Sequence, residues 1–201
     1  MKLQQLFVYL LVCFVVWGGH AQAASAQKDE TALRELLEQR DKEIKKLLGP
    51  EGTDYTQEQR EQLKDIINGI VDYGSMARFA LQTTYDTLSS AQRQEFIELF
   101  STIVRDQSLS NLEIYRADVK YNSITVTGDS ADVRTTAQLE NVRTPVDYKM
   151  FYDDSEQQWF ITDISIDDVS TAGSYRRQFQ NIIRKRGYDY LVEILRKRAG
   201  G

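Results

Sequence analysis

Cysteine and histidine are nearly missing from this sequence of 201 residues, which contains one of each, Cys13 and His20. Both fall within the first two dozen residues, and if that segment is removed, the remaining chain has neither. Such a chain has no thiol nucleophile, no disulfide, no Ser-His-Asp triad and none of the usual zinc sites. An enzyme built from it would depend on Asp, Glu, Lys, Tyr or Ser, or on a hard cation with oxygen ligands.

Long hydrophobic runs are scarce as well. The longest, Leu6–Trp17, has twelve apolar residues, fewer than the ~20 that a helix needs to span a bilayer. Lys2 precedes it and the small residues AQAASA (21–26) follow it, which is the pattern of a secretory signal peptide. We predict a signal peptide over 1–23, with cleavage after residue 23 or as late as residue 26, and a soluble exported product, 27–201. About 175 residues are enough to form one domain with its own core.

Glycine-rich loops and an overall positive charge are also missing. The 11 glycines are dispersed, so a glycine-rich phosphate-binding loop is not indicated. Without the signal peptide the chain has 24 basic and 30 acidic residues, a net charge of −6, which argues against general nucleic-acid binding. The last segment, 174–201, nevertheless carries a net charge of +6. Cations at the carboxyl ends of helices explain part of that excess, and the rest permits a local contact with an anion.

The first half of the mature chain has helical periodicity. Apolar residues recur with a period near 3.6 over 31–48, and this helix should end at Gly49-Pro50. Three further helix starts are indicated by capping patterns: Thr56 with Gln59, Asp72, and Ser89 with Gln92. Asp72 would begin a short helix over 73–81. We predict helical structure within 29–115.

From residue 117 the period of the apolar residues changes to 2, which is typical of strands with one apolar face. Four strands are predicted within 117–168, two of them around the turn Gly128-Asp129 and two more at 144–152 and 158–166. Their short connections favour an antiparallel meander. Helical periodicity returns over 174–198. Helices, then a sheet, then helices predict an α+β fold in which helices cover one face of a curved antiparallel sheet.

Apolar and aromatic side chains are spaced so that sheet and helices would face each other across an apolar space. The predicted sheet side consists of Val133, Ala137, Leu139, Val146, Tyr148, Met150, Trp159 and Ile161. The predicted helix side consists of Phe79, Phe96, Phe100, Tyr175 and Phe179. These side chains could fill the space as an ordinary core or leave it open as a cavity for a lipid or steroid. The spacing alone is compatible with both.

The acidic residues give little support to catalysis or metal binding. They lack the spacing of a calcium-binding loop, and hairpin turns favour Asp for backbone reasons alone. Asp147 and Asp163 each interrupt an apolar stretch, where a structural hydrogen bond is the more common role. We predict no metal site, no cofactor and no catalytic residue.

Two arginines near the end of the sheet are harder to explain by local rules. Arg176 and Arg177 lie in the first turn of a predicted helix, where cations are disfavoured. They could meet a lipid headgroup, a partner protein or the acids Asp167 and Asp168. We expect one of the two to pair with these acids and the other to contact a headgroup, partner or membrane surface.

Several motifs together resemble one known family. They are VDYGSMARFAL (71–81), LSSAQRQEFIELF (88–100), PVDYKM (145–150) and WFITDISIDDVSTAGSYRRQF (159–179). In order and spacing they are similar to the MlaC / toluene-tolerance family of periplasmic phospholipid-binding proteins, over roughly residues 60–195. This chain departs from the family's usual pattern at Asp167-Asp168 and Thr171-Ala172, which implies a more polar pocket mouth.

The resemblance implies a highly twisted antiparallel four-stranded sheet with helices on one face, similar to nuclear-transport-factor-like domains, and an apolar cavity between them. It implies a monomeric periplasmic carrier of glycerophospholipids, not an enzyme. Its partners would be an inner-membrane ABC transporter complex with a membrane-anchored substrate-binding subunit and an outer-membrane lipoprotein–porin complex. A hopanoid or sterol-like cargo, an isomerase-like enzyme using Asp147 or Asp163, and a structural adaptor with a filled core remain alternatives.

Overall fold

The computed structural model describes residues 28–200, so the predicted signal peptide lies outside the described residues. The helices are α1 (Glu30–Leu48), α2 (Gln57–Asn68), α3 (Tyr73–Leu81), α4 (Thr83–Thr87), α5 (Ser90–Ser108), a 3-10 helix (Leu112–Arg116), α6 (Thr171–Arg186) and α7 (Tyr188–Ala199). The strands are β1 (Asp118–Thr127), β2 (Ser130–Leu139), β3 (Val142–Asp153), β4 (Gln158–Ile166) and β5 (Val169–Ser170). No helix within 28–200 combines the length and the apolar character that crossing a membrane requires.

The helices begin where the capping patterns predict. Thr56 and Gln59 form a complete capping box at the start of α2, and Ser89 and Gln92 form another at the start of α5. In each box the side chain of the first residue accepts a hydrogen bond from the backbone N–H of the glutamine, and the glutamine side chain accepts one from the backbone N–H of the first residue. Two backbone donors that would otherwise be unpaired are thereby bonded. Asp72 accepts a hydrogen bond from the backbone N–H of the third residue of α3 at 2.8 Å. The predicted helix 73–81 is confirmed at both ends.

The end of α1 is fixed by a glycine and an arginine. Gly49 follows the helix with a φ of 60°, a conformation that glycine adopts at low cost. Arg116, at the end of the 3-10 helix, donates to the carbonyl oxygens of Gly49 at 2.6 Å and Pro50 at 3.0 Å, and to the hydroxyl of Tyr55 at 3.0 Å. These bonds join the end of α1 to the segment that leads into the sheet.

The strands form one antiparallel sheet in the order β1-β2-β3-β4-β5, which confirms the predicted α+β meander of four strands and adds a short fifth strand. Asp167 and Asp168 form the two-residue turn before β5, with φ values of 48° and 61°. Asp tolerates this left-handed conformation better than most residues. The last helical region was predicted to start at residue 174, but α6 starts at Thr171, because Ser170 caps the helix directly after pairing in β5.

One face of the sheet is apolar, and we call it the inner face. In β2 it contains Ala131, Val133, Thr135, Ala137 and Leu139. Their partners in β3 are, in the same order, Met150, Tyr148, Val146, Thr144 and Val142. Each strand alternates between this face and a polar outer face, as the period of 2 predicts. The helix α1 packs on the inner face through Leu33 and Leu37, which are buried together with the sheet residues.

The remaining helices form a layer of their own beside β4. The segment before α3 pairs with β4, since the backbone N–H of Ile161 donates to the carbonyl of Ile70 at 2.6 Å and that of Asp72 donates to Ile161 at 2.9 Å. The helices α3, α5, α6 and α7 then share a separate apolar cluster. A third, smaller cluster, formed around Leu48, Leu63 and Leu112, joins α1, α2 and the 3-10 helix.

Candidate ligand-binding site

All eight residues predicted for the sheet wall lie on the inner face. Val133, Ala137 and Leu139 share it within β2, and the pairing to β3 and β4 brings the other five to the same side. The predicted alternation is therefore correct in each strand. A slip of one residue would have placed the set on the outer face.

One half of the inner face is closed by α1. Here Val133, Met150, Trp159 and Ile161 are almost completely buried and form one cluster with Leu33 and Leu37 of α1 and with Ile124. These side chains fill the space between helix and sheet as a core. Four of the predicted ligand contacts thus have a structural role in this conformation.

The other half of the inner face is not covered by any of the three apolar clusters. Ala137, Leu139 and Val146 are only partly buried and belong to none of them. Val142 pairs with Leu139, and Ile166 pairs with Val146; their exposed fractions are 64% and 46%. We call these five residues the uncovered strip. Val142 and Ile166 were missed by the sequence analysis, although each continues the alternation of its strand.

Two tyrosines lie at the boundary between the closed half and the uncovered strip. Tyr148 pairs with Val133 and Ile164, and Tyr121 pairs with Thr135, so both project from the inner face. Both pack against the closed cluster but keep some accessible surface. Burial raises the pKa of the Tyr148 phenol to about 12 and also raises that of the Tyr121 phenol. Both phenols are neutral at physiological pH and available as hydrogen-bond donors.

The predicted helix wall forms the core of the helical layer instead. Phe96, Phe100 and Phe179 are buried, and their ring centroids lie 5.7–6.0 Å apart. Tyr175 joins them, 4.9 Å from Phe100, and donates a hydrogen bond to Gln107. The structure therefore does not place this set opposite the sheet residues across one pocket, because helix faces packed on other helices satisfy the same 3.6-residue spacing.

Phe79 departs furthest from the predicted arrangement. It is 46% exposed, and the guanidinium of Arg176 lies over its ring at 4.7 Å. Arg177 donates to the hydroxyl of Ser174 at 2.9 Å. Neither arginine forms an ion pair with Asp167 or Asp168 within the described part of the chain, so the expected pairing with these acids was wrong. The two acids form the tight turn before β5, whereas both arginines lie on α6, where Arg176 reaches Phe79 of α3 and Arg177 contacts Ser174.

The two candidate carboxylates have positions that suit structural roles. Asp163 accepts hydrogen bonds from the hydroxyl of Ser170 at 2.5 Å and from the backbone N–H of Ala172 at 2.9 Å. It thereby fixes the start of α6 on β4, as a structural role predicts. Asp147 pairs with Arg134 and Ser165 on the outer face of the sheet. Neither carboxylate lies on the uncovered strip.

The outer face carries a depression of about 410 Å³ between α3 and the sheet. Its lining mixes polar residues, among them Asp132 and Lys149, which form an ion pair at 3.0 Å, with Ala131, Met150 and Phe151. In residues 28–200 there is also no cluster of His, Cys, Asp and Glu that could hold a metal ion.

A meander sheet with an apolar inner face, half closed by a helix and half uncovered, defines an α+β domain suited to binding an apolar ligand. The model of the MlaC protein family matches residues 24–197. The chain therefore belongs to the MlaC family, which confirms the resemblance seen in its motifs. No curated protein matches the chain.

The fold is similar to that of a phospholipid-binding protein from Ralstonia solanacearum, which was solved in complex with a phospholipid. The TM-score is 0.69 at 20% sequence identity, and the match covers 85% of this chain and 96% of the other. At this identity the likeness concerns the fold. It confirms the predicted α+β architecture.

Proposed function

We propose that this protein is a periplasmic carrier that holds the acyl chains of a glycerophospholipid against the uncovered strip. The observation that carries the proposal is the strip itself, an apolar part of the inner face that belongs to none of the three apolar clusters and in which Val142 and Ile166 are exposed. Monomeric soluble proteins rarely leave such surface exposed without a ligand or partner. Membership of the MlaC family and the phospholipid bound to the structural neighbour support a lipid as that ligand.

Transport of such a ligand needs containment and no chemistry. Burial of hydrocarbon is worth ~0.8 kcal/mol per CH₂, so exposing a sixteen-carbon chain to water would cost about 12 kcal/mol. A free phospholipid therefore crosses an aqueous compartment at a negligible rate. A bilayer and an apolar strip solvate hydrocarbon about equally well, so transfer between them can be nearly balanced and still fast when the carrier docks.

The shuttle would run between two membrane assemblies. The inner-membrane partner would be an ABC transporter complex with a membrane-anchored substrate-binding subunit, and the outer-membrane partner a lipoprotein–porin complex. The signal-peptide pattern of residues 1–23 supports export to the compartment between them. Arg176, held over the exposed Phe79 ring, offers a cationic and apolar surface for such docking.

Native mass spectrometry of the purified protein tests the proposal directly. We expect a bound species whose mass, after extraction, is that of a two-chain glycerophospholipid. Delipidated protein should reload from phospholipid vesicles in a sedimentation assay. A protein that carries no lipid and takes none from vesicles would contradict the carrier function. An extracted hopanoid or sterol would show that the protein carries another apolar cargo instead of a phospholipid.

A further inference from the structure

The tyrosines at the boundary of the uncovered strip have donors that the fold leaves unused. Within residues 28–200, no hydrogen bond is formed by the hydroxyl of Tyr148 or by that of Tyr121, while the phenols of Tyr73, Tyr115 and Tyr175 each have an acceptor. The described residues also contain no fully buried polar side-chain atom without a partner. The Tyr148 and Tyr121 hydroxyls therefore open onto accessible space within the inner face.

Their position fits the end of a hydrocarbon chain. Tyr148 pairs with Val133 of the closed half, and the next inner-face residue of its strand is Val146 of the uncovered strip. Thr135, the polar residue between the two tyrosines, is already satisfied because its hydroxyl donates to the carbonyl of Val146 at 2.5 Å. When the hydrocarbon of a ligand covers the strip with its glycerol end toward Tyr148, the groups that join the chains to glycerol meet two free donors.

The charges around the two phenols nearly cancel, so a neutral acceptor suits them and an anion gains nothing. Burial is the main cause of the raised pKa of the Tyr121 phenol; Tyr148, Asp41 and Glu38 add to it, and Arg34, whose guanidinium lies 5.5 Å from the Tyr121 ring, opposes them. Asp41 also raises the pKa of the Tyr148 phenol. Asp41 is itself paired with Lys45 at 3.0 Å, so the site offers a phosphate no net attraction, whereas an ester carbonyl accepts a hydrogen bond without carrying charge.

From this geometry we infer that Tyr148, with Tyr121, recognises the ester carbonyls that join the acyl chains to glycerol, and so selects ester-linked over ether-linked lipids. The inference rests on the proposed carrier function and names the lipid class that the same site prefers. In the empty protein, water can accept a hydrogen bond from the phenol. A bound lipid displaces that water, and if the lipid offers no acceptor of its own, the hydrogen bond is lost and binding is weakened. An ether lipid of equal chain length fills the strip equally well but lacks the carbonyl oxygen, which projects sideways from the chain and can reach the phenol.

A competition experiment tests this. Delipidated mature protein is incubated with phosphatidylcholine vesicles that contain equal amounts of a diester phosphatidylethanolamine and its diether analogue with the same chains. The bound lipids are then extracted and quantified by mass spectrometry. We expect the wild-type protein to enrich the diester about threefold to tenfold, the range for one hydrogen bond. Tyr148→Phe, which keeps the ring and removes only the hydroxyl, should bring the ratio close to one.

Controls separate the possible outcomes. Tyr190→Phe makes the same chemical change on an exposed tyrosine of α7 and should keep the wild-type ratio. Tyr121→Phe serves as a second variant if Tyr148→Phe fails to fold, and should lower the ratio as well. A wild-type ratio of one, or an unchanged ratio in both inner-face variants, would overturn the inference while leaving the carrier function intact. Failure of the wild-type protein to take up either lipid would overturn the carrier function and the inference together.

Discussion

Replacing Val146 by Asp should separate lipid binding from folding. Val146 lies on the uncovered strip, belongs to none of the three apolar clusters and keeps accessible surface. In the empty protein the new carboxylate can therefore stay hydrated. We expect the free energy of unfolding to fall by about 1 kcal/mol, the usual range for strand propensity at a partly exposed site, which corresponds to a melting temperature lower by about 2–4 °C.

Lipid binding should respond far more strongly to the same change. An acyl chain that covers the strip would remove water from the carboxylate, and the effective cost of burying such an ion without a partner is several kcal/mol. Since each 1.4 kcal/mol is a factor of ten, a cost of about 3 kcal/mol already predicts lipid uptake at least about a hundredfold weaker. Uptake from phospholipid vesicles, measured by sedimentation and lipid analysis, gives this ratio, and thermal unfolding gives the stability.

A matched control adds the same charge to the other face of the sheet. Gln138 is exposed on the outer face of β2, so Gln138→Asp should leave lipid uptake unchanged. Leu139→Asp, also on the strip, should repeat the loss seen for Val146→Asp. If Val146→Asp and Leu139→Asp bound lipid as well as the wild-type protein, the strip would not be the binding surface. A collapse of their stability would instead assign both residues to the core.

Three further predictions concern the helical layer, a helix cap and the sheet tyrosine. Phe100→Ala should lower the free energy of unfolding by about 3–5 kcal/mol because the side chain is fully buried among other rings. Phe79→Ala should lower it by less than about 1 kcal/mol because that ring is largely exposed. Similar values for the two variants in urea titrations would contradict the placement of these rings. Ser89→Ala removes one half of a capping box and should cost about 1 kcal/mol in the same titration, and a value near zero would show that the cap is replaced by water. Burial raises the pKa of Tyr148 to about 12 in the folded state, from about 10 in the unfolded state. Its contribution to stability should therefore be fully present below pH 10 and be lost as the pH rises toward 12. Tyr148→Phe should reduce this loss of stability at high pH, as measured by unfolding at a series of pH values.

Local patterns in the sequence were sufficient for much of the fold. The capping boxes at Thr56 and Ser89 identified helix starts because the bonds that satisfy the first turn are made by residues three positions apart. The alternation in β2 and β3 identified the apolar face because neighbouring side chains in a strand point to opposite sides. The start of α6 was placed three residues late because the Asp167-Asp168 turn allows one more strand pair before the helix.

The candidate site was predictable only in part. Ala137, Leu139 and Val146 were assigned to it from alternation, and the structure leaves them uncovered, although their contact with lipid remains a proposal. Nothing local distinguished them from Val133 or Met150, which have the same pattern but are buried beneath α1. That distinction depends on where α1 crosses the sheet, about a hundred residues away in the chain.

By itself, the sequence determined which residues share a face, where most helices begin, the absence of cysteine and histidine chemistry after residue 26, and the family to which the chain belongs. Only the tertiary structure decided what each face contacts. It packed Phe96, Phe100 and Phe179 against one another instead of against the sheet, and it closed one half of the inner face while leaving the other half apolar and uncovered. The physical reason is that periodicity arises from the geometry of a single helix or strand, whereas the choice of partner depends on contacts between segments far apart in the chain.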